Sequence, residues 1–143
     1  MLYIGHAYLS QNELEQAQDA YRKSITIRTA LGQPSLAMEP IAGLVEAYLH
    51  LNDIDAAGRE VEKILQYLDT GSTLDGADEP LRVYYACYLF LKKNGDSRSK
   101  QILQTAKNLL EAQVSKFNDY AARQRYIENI PWRRAIRDER SEN

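Results

Sequence analysis

Residues 5–24, GHAYLSQNELEQAQDAYRKS, return in altered form at residues 45–64, VEAYLHLNDIDAAGREVEKI. Ala-Tyr-Leu, an Asn followed by an acidic residue, and a downstream Ala recur at one interval. A third, looser copy surrounds Asn94, so the turn asparagines Asn12, Asn52 and Asn94 lie 40 and 42 residues apart. A period in this range is the signature of stacked helix pairs, because one hairpin cannot bury its own apolar face and a stack can.

The periodicity within each copy is helical. Leu14, Ala17, Tyr21, Ser24 and Ile25 lie three or four apart, and so do Ile41, Leu44, Val45, Tyr48 and Leu49. Ile54, Ala57, Val61, Ile64 and Leu65 continue the pattern, as do Leu81, Tyr84, Cys87, Tyr88 and Leu91, then Ile102, Leu103, Ala106, Leu109 and Leu110. Gly32 followed by Pro34 reads as a helix stop, Pro40 as a first-turn proline, and Asp78 as an N-cap. Pro131 breaks or restarts the last helix. The expected fold is all-α: a right-handed α-solenoid of about three antiparallel helix pairs, at residues 1–34, 35–77 and 78–119, closed by a capping helix and frayed tail at 120–143. Helices that pack at roughly 8–10 Å need small residues where they cross. Gly5, Ala17, Ala57, Cys87 and Ser99 are read as those residues, with Tyr8, Tyr21 and Tyr48 filling the space beside them.

Composition removes several function classes. The formal net charge of −2 gives no basic excess for nucleic acid or an anionic membrane. Arg123, Arg125, Arg133, Arg134, Arg137 and Arg140 are interleaved with Glu128, Asp138 and Glu139, which reads as a solvated, partly paired face. No apolar run approaches a membrane span. Two His and one Cys leave no disulfide and no material for a zinc site. Glu46 and His50 share a helix face without a third ligand. No phosphate-binding glycine loop and no nucleophile–base set is present, so no catalytic residue, metal or cofactor is expected.

The pattern Ile4-Gly5-x-x-Tyr8, then Ala17-x-x-x-Tyr21, resembles the tetratricopeptide repeat. Met1 stands at the usual Trp place, Thr29 at the usual closing Pro, and the period is stretched beyond the usual ~34 residues. LDGADEPLRVYYACYLFL (74–91) and YIENIPWRRAI (126–136) are similar to the closing segments of long-period arrays. Such arrays occur in large bacterial STAND-type ATPase transcriptional regulators and related cyclase fusions. The resemblance implies a cytoplasmic, non-catalytic protein–protein interaction or regulatory scaffold, with a small-molecule inducer bound in the superhelical groove as the alternative. Its partner would be a protein, a peptide or another domain of the parent chain, with no direct nucleic-acid or membrane contact. The first helix of each pair would line the groove, which selects His6, Ser10, Glu46, His50, Tyr84, Tyr88 and Lys92. The family's Lys/Asn carboxylate clamp is not matched, since Leu2 and His6 stand at two of its positions. The bare start of the first helix predicts a C-terminal fragment of a longer protein, or self-association through that end.

Overall fold

The computed structural model describes residues 1–140, and the last three residues of the expected tail lie outside it. The described chain is helical without strands. It comprises α1 (Leu2–Ser10), α2 (Leu14–Ala30), α3 (Pro34–His50), α4 (Ile54–Asp69), α5 (Pro80–Lys93), α6 (Arg98–Val114), α7 (Tyr120–Glu128) and α8 (Pro131–Asp138).

Four helix ends use one device. Asn12 (φ 59°), Gly32 (φ 66°), Asn52 (φ 57°) and Gly95 (φ 66°) adopt the left-handed conformation. The next residue's N–H then reaches back five positions: Glu13 to Tyr8, Gln33 to Arg28, Asp53 to Tyr48, and Asp96 to Leu91, each near 2.9 Å. This arrangement satisfies carbonyls that the helix end would otherwise orphan, and only Gly or Asn takes the left-handed site at low cost. It also corrects the repeat count. In the third copy the left-handed residue is Gly95, not Asn94, so the structural offsets from Asn12 to Asn52 to Gly95 are 40 and 43 residues.

Two helix starts also differ from expectation. Pro34, not Pro40, opens α3, while Pro40 lies buried inside the helix. A ring there removes one rung of the ladder, but Ala37, Met38, Ile41 and Ala42 around it are all buried, and this packing holds the helix through it. Asp78 does not cap α5. Its N–H instead donates to the buried Glu39 carboxylate of α3 at 2.5 Å. The burial that this geometry demands pushes the Glu39 carboxyl above its ordinary range, opposed by the backbone N–H groups it accepts.

Packing follows chain order. α2 packs on α1, α3 on both α1 and α2, α4 on α3, α5 on both α3 and α4, and α6 on α5. α8 lies against α5, α6 and α7. The largest apolar cluster runs from Val45 and Ile41 through Val61 and Ile64 to Val83, Cys87 and Leu91, with Leu74 of the 70–79 loop plugged into it. A second cluster joins Leu81, Ala106 and Leu110 to Ile127 and Ile136.

The seam between the first helices and α3 is built around one ring. Tyr21 is fully buried. A Cβ on Gly5 would stand 2.6 Å from the ring, and one on Gly43 only 2.4 Å. No real side chain tolerates that approach, so the ring requires a glycine on each side. Ala17 and Leu44 complete the cluster, with Tyr8 and Tyr48 at its edge. Gly5, Ala17, Ala57 and Cys87 are all buried. Ser99 is not. It is half-exposed, and Leu103 and Ala106 form the buried stripe of α6. Ser99 lies on the same face as that stripe but in the first turn of α6, where it stays half-exposed.

Candidate functional site

A groove of about 490 Å³ lies between α3, α5 and α8. Leu49 and His50 line one wall, Tyr85 and Leu89 the floor, and Pro131, Trp132 and Ala135 the other wall, with Glu46 at one end. The surface is mostly apolar because α8, opened by Pro131, lays Trp132 against α5.

Arg82 holds the three helices together. Its Nε and Nη2 donate to both Glu46 carboxylate oxygens at 3.0 and 2.8 Å. Its guanidinium also lies 4.6 Å from the Trp132 ring centre. Trp132 in turn donates from its indole N–H to Glu79 at 3.2 Å, and Arg133 donates to the other Glu79 oxygen at 2.7 Å while covering the Tyr126 ring. Forked contacts of this kind fix direction as well as distance. The Glu46 charge is therefore spent on Arg82, and the exposed His50 lies beside it on the same wall. Desolvation raises the Tyr85 phenol above its ordinary value. The remaining walls offer apolar and aromatic contact.

Of the residues the sequence singled out, Glu46 and His50 line this groove. It does not contain Tyr84, Tyr88 or Lys92. Tyr84 faces a smaller cavity on another side of α5, with Leu65, Leu68 and Ile102. Tyr88 is buried, its hydroxyl donating to Glu139 at 2.8 Å. Lys92 is paired with the same carboxylate. The physical reason is the one-residue shift at Gly95: once the third copy is counted from the left-handed residue, the counterparts of Glu46 and His50 are Leu89 and Lys93. His6 and Ser10 are also absent from the groove. Ser10 bonds the Ala7 carbonyl on the exposed surface. His6 sits at 2.7 Å from the Tyr21 hydroxyl, partly buried, and desolvation lowers its pKa to about 4. It is a neutral imidazole holding the buried tyrosine.

The sequence reading missed Tyr85, Leu89 and Trp132 as a set. The signal that would have placed Trp132 in a groove was Pro131, which opens α8 and lets it lie against α5. Cys87 is fully buried, and its thiol is pushed up to about 12. Among the described residues, no group of three or more His, Cys, Asp or Glu is placed to hold a metal ion, and no helix is long and apolar enough to cross a membrane. No family model, curated protein or solved structure matches the chain.

Proposed function

We propose that the chain is a tetratricopeptide-like stack of three antiparallel helix pairs, a right-handed α-solenoid acting as a non-catalytic interaction and regulatory scaffold. The observation that carries this reading is the apolar groove between α3, α5 and α8, where Glu46 is bonded to Arg82 and Trp132 to Glu79 and most of the remaining lining is apolar or aromatic. Such a groove suits apolar side chains of a peptide or amphipathic helix, the mode in which helical surfaces commonly capture partners. In this reading the parent is a cytoplasmic bacterial signalling or transcriptional regulator, and the partner is a protein segment, including one from the same parent chain.

A peptide-display selection against the native chain tests this, with the Leu89→Glu variant as control. Selected peptides carrying an aliphatic or aromatic anchor should lose binding at least tenfold to L89E, about 1.4 kcal/mol. Peptides that bind both proteins equally would remove the groove from the account. A second reading, a small inducer in the same groove, is favoured by Tyr85 and Trp132 together lining it. A thermal-shift screen with planar and sugar-like ligands tests it, because a ligand that binds only the folded chain raises Tm. A Tm gain that Trp132→Leu abolishes supports this second reading, and the absence of any gain excludes it.

A further inference from the structure

We propose that the occupant of the groove between α3, α5 and α8 is an acidic amphipathic peptide segment, whose apolar anchor fills the groove and whose carboxylate, one helical turn away, pairs with Lys93. This rests on the groove being a peptide site and adds the charge and polarity of its partner.

The two ends of the groove differ. One end is closed by a matched pair, since Arg82 is forked onto both Glu46 oxygens and lies over the Trp132 ring. A guanidinium and a carboxylate joined in this way offer little net charge to an incoming segment. The other end is open. Leu89 on the floor is 38% exposed, and His50 on the α3 wall is exposed. Lys93 stands between them. It lies four residues past Leu89, so it shares that face of α5 about 6 Å further along the axis. Its Nζ reaches the turn after α3, 3.4 Å from the Asn52 amide oxygen and two residues past His50. The ammonium therefore sits at the mouth, between the α5 floor and the α3 wall.

The carboxylates that border the groove are already matched. Glu46 takes Arg82, Glu79 takes Arg133, and Glu139 takes Lys92 together with the Tyr88 hydroxyl. Asp53, beside Asn52, turns to the start of α4 and accepts the Ala56 N–H at 3.2 Å. The last carbonyls of α5 are taken too, with Phe90, Leu91 and Lys92 accepting from the N–H groups of Asn94, Asp96 and Gly95. What Lys93 holds is a neutral amide, at a distance longer than an ordinary hydrogen bond. An apolar groove with such a cation at its open end disfavours basic segments and favours acidic ones, because charge of the opposite sign steers encounter and like charge costs affinity. A helix supplies the pattern directly: an anchor and a carboxylate three or four positions apart lie on one face.

The test selects from a peptide-display library of balanced charge against the native chain. Peptides that lose binding to Leu89→Gln, an uncharged change, are groove ligands. They should carry Asp or Glu within one turn of the apolar anchor more often than the starting library does. One such peptide, carrying a fluorophore, is then titrated as selected, with the acid changed to its amide, and with the acid changed to Lys. Lys93→Glu should weaken the acidic peptide at least about threefold, leave the amide version within a factor of about 1.5, and strengthen the Lys version. The threefold difference should shrink between about 0.05 M and about 0.5 M salt. The unchanged amide version shows that the groove of the variant is intact. Groove ligands without acidic enrichment, or equal responses of the acidic and amide versions to Lys93→Glu, overturn the proposal and leave the groove as a peptide site. A selection without any peptide sensitive to Leu89→Gln overturns both.

Discussion

The two ends of the molecule bury their helices by different means. At the α5–α8 end, polar side chains reach between helices: Arg133 and Trp132 to Glu79, Arg82 to Glu46, and Tyr88 and Lys92 to Glu139. At the α1–α3 end, one buried ring between two glycines does the equivalent work, and the outer face stays apolar and open. Contacts of the first kind fix direction and register, and those of the second depend on volume. The first end should therefore respond to loss of charge partners, and the second to changes of size and to protonation of His6.

The comparison can be broken most forcefully at its two anchors. Tyr21→Ala should cost about 3–5 kcal/mol, and Ile136→Ala about 2–5 kcal/mol, in urea unfolding, since each empties a fully buried site. A loss under about 1 kcal/mol at either site would deny that it anchors its end. Next in size, Gly43→Ala should cost about 1–3 kcal/mol through overpacking against Tyr21, despite alanine's better helix propensity. Ala17→Leu belongs to the same class, and Gln18→Leu, one position on, should leave Tm within about 1 °C.

At the other end, Glu79→Gln should cost about 1–3 kcal/mol, because Arg133 and the indole N–H of Trp132 lose a charged acceptor in a largely shielded place. Its Tm should fall less in high salt than that of an exposed pair would, as screening is weak there.

The pH response sharpens the contrast. In the folded chain the His6 pKa is lowered to about 4, while the unfolded imidazole titrates near its ordinary 6.5. As pH falls through 6.5, the unfolded state takes up the proton first, so stability present at neutral pH is lost progressively down to about pH 4. Unfolding free energies measured from pH 7.5 to 4 should show this loss, and His6→Gln should flatten it. An unchanged slope in the variant would assign the acid response to other groups. Smallest in effect, Cys87 should resist thiol reagents in the native chain and react at the rate of global opening, because its buried thiol is pushed up to about 12. Rapid labelling without denaturant would contradict that.

The all-helical fold could be read from spacing alone, and Gly5, Ala17 and Ala57, which periodicity singled out as small, are buried. What the sequence concealed was rotation. Asn94 looks like the counterpart of Asn12 and Asn52, yet the left-handed residue is its neighbour Gly95. A one-residue error turns a helix by about 100°, enough to move Tyr88 from an expected groove into a buried position and to bring Tyr85 and Leu89 into the groove instead. Ser99 lies on the predicted face of α6, but at its first turn, where it is half-exposed. Gly43 carried no periodic signal of its own, because its role is set by a tyrosine 22 positions earlier in the chain. Glu39 was invisible for a similar reason: its partner is a backbone N–H at the start of another helix.

The account depends on successive helix pairs packing in register, with the Tyr21 ring between α1 and α3. Nuclear Overhauser contacts of the Tyr21 ring protons test this most directly. They should reach the Hα protons of both Gly5 and Gly43 in the native chain. A tyrosine ring with contacts to only one of these glycines, or to neither, would contradict the stacked arrangement.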